Sequence, residues 1–334
     1  MAKARKLGTL FRKLQPKAED FLDNRFFPSP KENPEDVVRF FFFITGIDHR
    51  TSPLGQSFEG LVEEEYFQGA DLLWHLALRK YHENPAFFEP KQMAHITTKH
   101  VKEWLTVIQP VQVTIRNPSQ RAELLRDCGR KLKGLYKSSV LNLLEQAENK
   151  LLGSPSSTSL GLLDHLARFK AYEDPARKKS YLLLKFLLRR RLWTLEDPEN
   201  LRIPVDNHLI RIALRTGIVQ VSPSFEQNLR DRRELTVADD VALRQVIADA
   251  FAEVASYAKH PILELDDFLW HFGRLCCKAT SPICDTGCST KCFVATDLLP
   301  LSCSLQCPLR DACTAFSEPR YRELQEPKLD TFYY

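Results

Sequence analysis

The sequence predicts a mostly α protein built in two lobes, and three observations carry that expectation. Apolar residues recur at helical spacing in segment after segment from Pro34 onward. Alternating patterns of the β kind are scarce. At 334 residues, 43% hydrophobic and 27% charged, the chain is long and apolar enough for a large core, and general disorder is excluded.

Residues 1–17 (MAKARKLGTLFRKLQPK) are basic, with no acid before Glu19, and Leu7, Leu10, Phe11 and Leu14 recur at helical spacing. A short packed helix, a basic arm touching phosphate and a targeting presequence all fit this pattern. Residues 1–33 are set apart as this basic N-terminal arm. An N-terminal helical lobe is expected over 34–152. Its elements are an apolar helix or strand over Glu35–Ile47 and helices over Asp71–Tyr81, Gln92–Val107 and Gln120–Tyr136. The repeat of Val140, Leu144, Ala147 and Leu151 adds one more. Ile108–Ile115 is the best strand candidate, weakened by Pro110. The Gly153-Ser-Pro-Ser-Ser-Thr158 stretch is the clearest linker. A second helical domain follows over 153–275, with helices at Leu160–Phe169, Ala176–Leu192, Asn207–Thr216, Val237–Ala258 and Leu265–Cys277. Thr236 and Asp239 form a capping pair for the longest. Trp74, Trp104 and Trp193 read as core residues, as does Trp270.

Net charge is +4, so any basic surface must be local. No apolar run is long enough to span a bilayer, and no secretory signal is visible; the expectation is a cytoplasmic or nucleoid-associated monomer away from membranes.

Eight of the nine cysteines crowd into residues 276–334, between Cys276 and Cys313; the ninth, Cys128, is expected to be a buried core thiol. Without a secretory signal, disulfides are disfavoured. Thiols this close together can converge on one metal centre, because short loops close at little entropic cost. Spacing alone leaves zinc and an iron–sulfur cluster both open.

The residues before the cysteines bear on that choice. Trp270-His271-Phe272-Gly273-Arg274-Leu275-Cys276-Cys277 is followed by six residues to Cys284, and five residues separate Cys307 from Cys313. This resembles the endonuclease III branch of the helix–hairpin–helix DNA glycosylases, in which a His-Gly-Arg-like helix end leads into a four-cysteine cluster loop with gaps of six, two and five. The first and last gaps match; the middle holds a 22-residue insertion with three further cysteines. The resemblance implies Cys277, Cys284, Cys307 and Cys313 as ligands of a 4Fe-4S cluster, with zinc the second option. Cys276, Cys288, Cys292 and Cys303 are possible substitutes, or a second site.

Residues 204–217 read Pro-Val-Asp-Asn-His-Leu-Ile-Arg-Ile-Ala-Leu-Arg-Thr-Gly. Asp206 is placed to N-cap the helix and Gly217 to end it. The segment also resembles the family's Val-Asp-Thr-His-X-X-Arg-Val motif, whose aspartate is the essential carboxylate. Breaking an N-glycosidic bond develops oxocarbenium charge on the sugar, which a nearby anion stabilises. The family's lysine, a Schiff-base nucleophile where present, maps best to Lys178 and next to Lys179 in Asp174-Pro175-Ala176-Arg177-Lys178-Lys179-Ser180. The glycine-rich, phosphate-gripping hairpin that precedes it in the family is absent here. Arg189, Arg190, Arg191 and Lys179 are candidate phosphate contacts, with a helix C-terminal role for the arginines equally open.

Around Asp174–Lys178 and Ile203–Asp206 the chain is also similar to an archaeal-type 8-oxoguanine glycosylase. More diffusely, Phe58-Glu59-Gly60, Leu73-Trp74, Arg121 to Tyr136, Lys178 and Asp206 resemble queuosine salvage glycosidases, which lack the cysteine loop. The resemblances together imply a helix–hairpin–helix glycosylase-like fold and an N-glycosidic hydrolase, foremost a base-excising DNA glycosylase. A hydrolase of a 7-deazaguanine nucleoside or nucleotide is the alternative. A non-catalytic iron–sulfur nucleic-acid-binding protein is the third.

Overall fold

The computed structural model describes residues 2–21, 25–51, 57–153, 159–288, 292–300 and 304–334. The chain is mostly helical, with two short hairpins among the described residues. No described helix is long and apolar enough to cross a membrane. The chain divides into two compact units. One comprises residues 20–201 with 331–334, the other residues 1–19 with 202–330. The break at 201/202 differs from the boundary expected at Gly153, which lies inside the first of these units; residues 154–158 of that expected linker are outside the described residues.

The unit of residues 20–201 is organised around helix Pro34–Ile47. Asn33 caps it through the backbone N–H groups of Glu35 and Asp36, and Pro34 suits the first turn. Four successive phenylalanines, Phe40 to Phe43, cover all sides of the helix, so it is buried all round rather than on one stripe. Phe41 stacks on Phe186 of helix Lys178–Arg189 with ring centres 5.0 Å apart, and Phe40 packs against Trp74 of helix Ala70–Glu83. Helices Pro118–Leu135 and Val140–Gln146 complete the packing around it. Cys128 is a buried core thiol, and the Trp74, Trp104 and Trp193 side chains are buried as well.

Two expectations in this unit need correction. The helix over Gln92–Val107 is broken into Pro90–Met93 and Thr98–Trp104, because Thr97 and His100 form a reciprocal cap that starts a new helix. The strand over Ile108–Ile115 is a small hairpin instead. Thr106–Val107 pairs with Val113–Thr114, and Pro110 falls in the turn, where its missing N–H costs no ladder bond.

In the second unit, helix Val237–Ala258 runs along helix Ala2–Leu14, and both ends of the longer helix fall where the sequence placed them. Thr236 caps it by accepting from the Asp239 N–H. Helix Asn207–Thr216 sits against Val237–Ala258, Ile262–Leu275 and Thr314–Ser317. Two glycines permit this close packing. A Cβ on Gly273 would fall 2.7 Å from the His208 Cβ, and one on Gly217 would meet the Thr314 hydroxyl at 2.5 Å. Gly217 also adopts φ +76° as the helix C-cap, a conformation that costs glycine little.

Candidate catalytic and metal-binding site

Asp206 is the N-cap of helix Asn207–Thr216. Its Oδ1 accepts the N–H groups of His208 at 2.9 Å and Leu209 at 3.0 Å, while Oδ2 has no protein partner among the described residues. The residue is buried to 7% exposure. One carboxylate oxygen therefore holds the helix, and the other is left for a ligand or a water. Capping occupies only one of the two carboxylate oxygens.

One face of that helix, His208, Arg211 and Arg215, is wired to the cysteine-rich segment. Arg211 donates to the carbonyls of Cys277 at 2.7 Å and Gly273 at 2.9 Å, and its Nη1 pairs with Glu326 at 2.7 Å. Arg211 Nη2 lies 2.9 Å from His208 Nδ1; since a guanidinium only donates, Nδ1 accepts and the ring proton sits on Nε2. Burial pulls the His208 imidazole down to about 4; the Asp206 charge opposes this and the Arg211 charge adds to it. The ring is neutral near pH 7. Burial by itself would raise the Glu326 carboxyl, but the Arg211 guanidinium beside it holds the acid below its usual range.

Arg215 is 1% exposed and donates to the carbonyls of Lys278, Ala279 and Leu324. Its Nη1 also reaches Cys277 Sγ at 3.5 Å, and Cys313 Sγ donates to the Arg215 carbonyl at 3.5 Å. Sequence reading missed Arg215. The available signal was an arginine at i+4 from Arg211 in a helix otherwise apolar on its inner side.

Cys277, Cys284, Cys307 and Cys313 line one small pocket, joined by Cys276 and walled by Ile212, Phe272 and Leu309. The pocket borders the C-terminal half of the Asp206 helix, through Ile212, Arg215 and Thr216. Burial pushes the thiols of Cys276, Cys284 and Cys307 up, and that of Cys313 up to about 11; charge on Cys277 adds to the rise at Cys284, Cys307 and Cys313. Buried sulfurs without a compensating cation favour the neutral thiol; a metal centre reverses that preference. Of the substitutes, Cys276 neighbours Cys288 and Cys292 rather than the four expected ligands alone, and Cys303 lies outside the described residues. Among the described residues, no group of three or more His, Cys, Asp or Glu side chains is gathered tightly enough to hold a single metal ion.

The lysines belong to the other unit. Asp174 accepts the N–H groups of Ala176 and Lys178 and opens helix Lys178–Arg189. Lys178 Nζ stands 3.4 Å from the Asp48 carbonyl, whereas Lys179 is fully buried and donates to the Gly46 carbonyl at 2.6 Å, with His49 Nδ1 at 3.3 Å. Arg121 donates to the carbonyls of His49 and Arg116. These cations gather at the C-terminal end of helix Pro34–Ile47, the negative end of its dipole. Burial, then the charges of Lys178 and Arg121, hold the Lys179 amine well below its usual range. Arg190 is also buried, donating to the carbonyls of Phe21 and Pro28. Lys179 and Arg190 are candidate phosphate contacts by sequence, with a helix C-terminal role equally open for Arg190; as placed, their donors face the protein interior. Arg189 is half-buried over the Phe21 ring and Arg191 is exposed.

No protein-family model and no curated protein matches this chain.

Proposed function

We propose that this chain hydrolyses an N-glycosidic bond, releasing a base from DNA, and carries a 4Fe-4S cluster on Cys277, Cys284, Cys307 and Cys313 in a helix–hairpin–helix glycosylase-like fold. One observation carries the reading. A single helix holds a carboxylate with an unused oxygen at its start, and its other half borders a pocket lined by those four cysteines. Asp206 Oδ2 would face the oxocarbenium charge that builds on the sugar, or orient the attacking water. Oδ1 and the helix fix its position. The neutral His208 and the Arg211–Glu326 pair anchor the first turn to the cysteine segment, so the carboxylate is pre-organised. Lys178, the less enclosed of the two lysines, is the candidate for Schiff-base chemistry.

The cluster is preferred to zinc because the two outer cysteine gaps match those of the four-cysteine cluster loop that this segment resembles; both centres accept four thiolates. The cluster would hold the segment 277–313 in place; hydrolysis of this bond transfers no electron.

The second reading is hydrolysis of a free 7-deazaguanine nucleoside or nucleotide, and one feature favours it. The turn before Lys178 contains no glycine, and its N–H groups at Ala176 and Lys178 are already taken by Asp174, where a phosphate-gripping hairpin would leave them open. The test is release of base from duplexes carrying modified bases and from free deazaguanine nucleosides, with wild type and Asp206→Asn. Turnover that depends on Asp206 supports the hydrolase. Equal turnover by the variant, or none by wild type on either class, removes it and leaves a binding protein.

A further inference from the structure

Residues 1–19 hold six lysines and arginines against one acid, Glu19, a surplus of five in a chain whose net charge is +4. The rest of the molecule is therefore close to neutral, and its excess charge is concentrated in this one segment. Helix Ala2–Leu14 does not hang free. Ala4, Leu7, Gly8 and Phe11 are buried, and a Cβ on Gly8 would fall 2.5 Å from the Tyr257 Cβ, so the helix lies directly on Val237–Ala258. Phe11 meets the edge of Phe268 at 5.4 Å. Arg12 donates to the Tyr257 carbonyl, Lys3 to the Thr314 hydroxyl at 2.8 Å, and the Lys17 N–H to the Leu298 carbonyl at 3.0 Å. These contacts fix the rotation of the helix about its axis.

With that rotation fixed, the polar side points outward. At about 100° per residue, Arg5, Lys6, Thr9, Arg12 and Lys13 fall within an arc of about 120°, opposite the buried stripe. All five are exposed, and so is Lys17. Arg5, Lys6, Lys13 and Lys17 have no acidic partner among the described residues. Exposed bases without an ion pair occur elsewhere among the described residues, as at Lys102, Lys137 and Lys259, so what sets this face apart is the number gathered on one docked helix with no acid beside them. An unpaired basic face on a rigidly docked helix is a surface for a polyanion.

We infer that the outer face of helix Ala2–Leu14, continued by Lys17, docks the phosphate backbone of a nucleic acid. This deepens the polymer-substrate form of the proposed function, on which it rests. An anionic membrane is the poorer fit, because membrane docking needs the apolar side that is here buried on Val237–Ala258. The contact would be sequence-independent, since it involves phosphates and no base edges.

The experiment measures binding of the full chain to an unmodified DNA duplex across a salt series, which needs no base release and so separates this inference from the catalytic reading. The quadruple variant Arg5→Gln, Lys6→Gln, Lys13→Gln, Lys17→Gln removes up to four phosphate contacts. It should flatten the slope of log K against log[salt] by about three to four and weaken binding at least about tenfold at 0.1 M salt. A Lys6→Arg, Lys13→Arg, Lys17→Arg variant, which keeps the charge, should bind as wild type does. Thermal melts of all three proteins should coincide. Unchanged slope and affinity in the glutamine variant overturns the inference. So does a wild type that ignores duplex DNA, or one that prefers vesicles of anionic phospholipid.

Discussion

Asp206 caps its helix and, on the function proposed above, is also the catalytic carboxylate; substitution should divide the two roles. Its Oδ1 accepts two helix N–H groups, at 2.9 and 3.0 Å, while Oδ2 has no protein partner among the described residues. Asparagine keeps an acceptor oxygen and is as good an N-cap as aspartate. Asp206→Asn should therefore lose only the charge–dipole part, about 0.3–1 kcal/mol. Alanine removes the cap and leaves two donors without a side-chain partner in a buried setting, for about 1–2 kcal/mol. Catalysis should respond differently. Asparagine cannot stabilise developing positive charge or accept a proton, so base release should fall by about 10²–10⁴-fold in both variants. Chemical denaturation reports the first quantity and single-turnover base release the second. The expected pattern is a stable, inactive Asp206→Asn beside a less stable, inactive Asp206→Ala. An active asparagine variant would make Asp206 a cap and nothing more. An asparagine variant as destabilised as alanine would refute the geometry assigned to Oδ1.

Arg211→Met should cost about 2–4 kcal/mol in denaturant titration, because it leaves the partly buried Glu326 without its counter-charge and frees two carbonyls. Adding Glu326→Gln should recover part of that loss, and no recovery would mean the pair is not coupled. Gly273→Ala should lower stability by about 1–3 kcal/mol, since its Cβ meets the His208 Cβ at 2.7 Å, a backbone-near atom that cannot swing aside. Because the folded His208 titrates at about 4, below its ordinary value of 6.5, folding favours the neutral ring. That stability is complete above pH 6.5 and declines as pH falls from 6.5 through 4, by no more than about 3 kcal/mol for a residue that keeps some solvent contact. His208→Asn should flatten this stretch of the stability–pH curve.

The sequence was most informative where the determinants are local. Both ends of helix Val237–Ala258 and of helix Asn207–Thr216 follow from a cap residue, an apolar periodicity and, at Gly217, a required positive φ. Cys277, Cys284, Cys307 and Cys313, singled out by two loop spacings and a resemblance, line one pocket together with Cys276. What stayed hidden depends on partners far away in the chain. The acceptors of Arg215 come from residues 278, 279 and 324, more than sixty positions downstream, and nothing near Arg215 encodes them. Likewise the burial of Lys179 and Arg190 reflects carbonyls at Gly46, Phe21 and Pro28, so two residues that read as candidate phosphate contacts are interior donors. That residues 1–19 join the second unit follows from the close contact at Gly8, a feature with no local signature beyond the glycine itself.

The proposed function stands on the nature of the thiol pocket, and its metal content is the most direct measurement of that. The full chain, purified without oxygen, should contain about four irons and four acid-labile sulfides. Both should fall together in Cys307→Ser, whose side chain lines the pocket among the other thiols, and should be unchanged in Cys128→Ser, a buried thiol in the other unit. A chain that carries stoichiometric zinc and no sulfide, or that keeps its iron when Cys307 is replaced, would contradict the assignment.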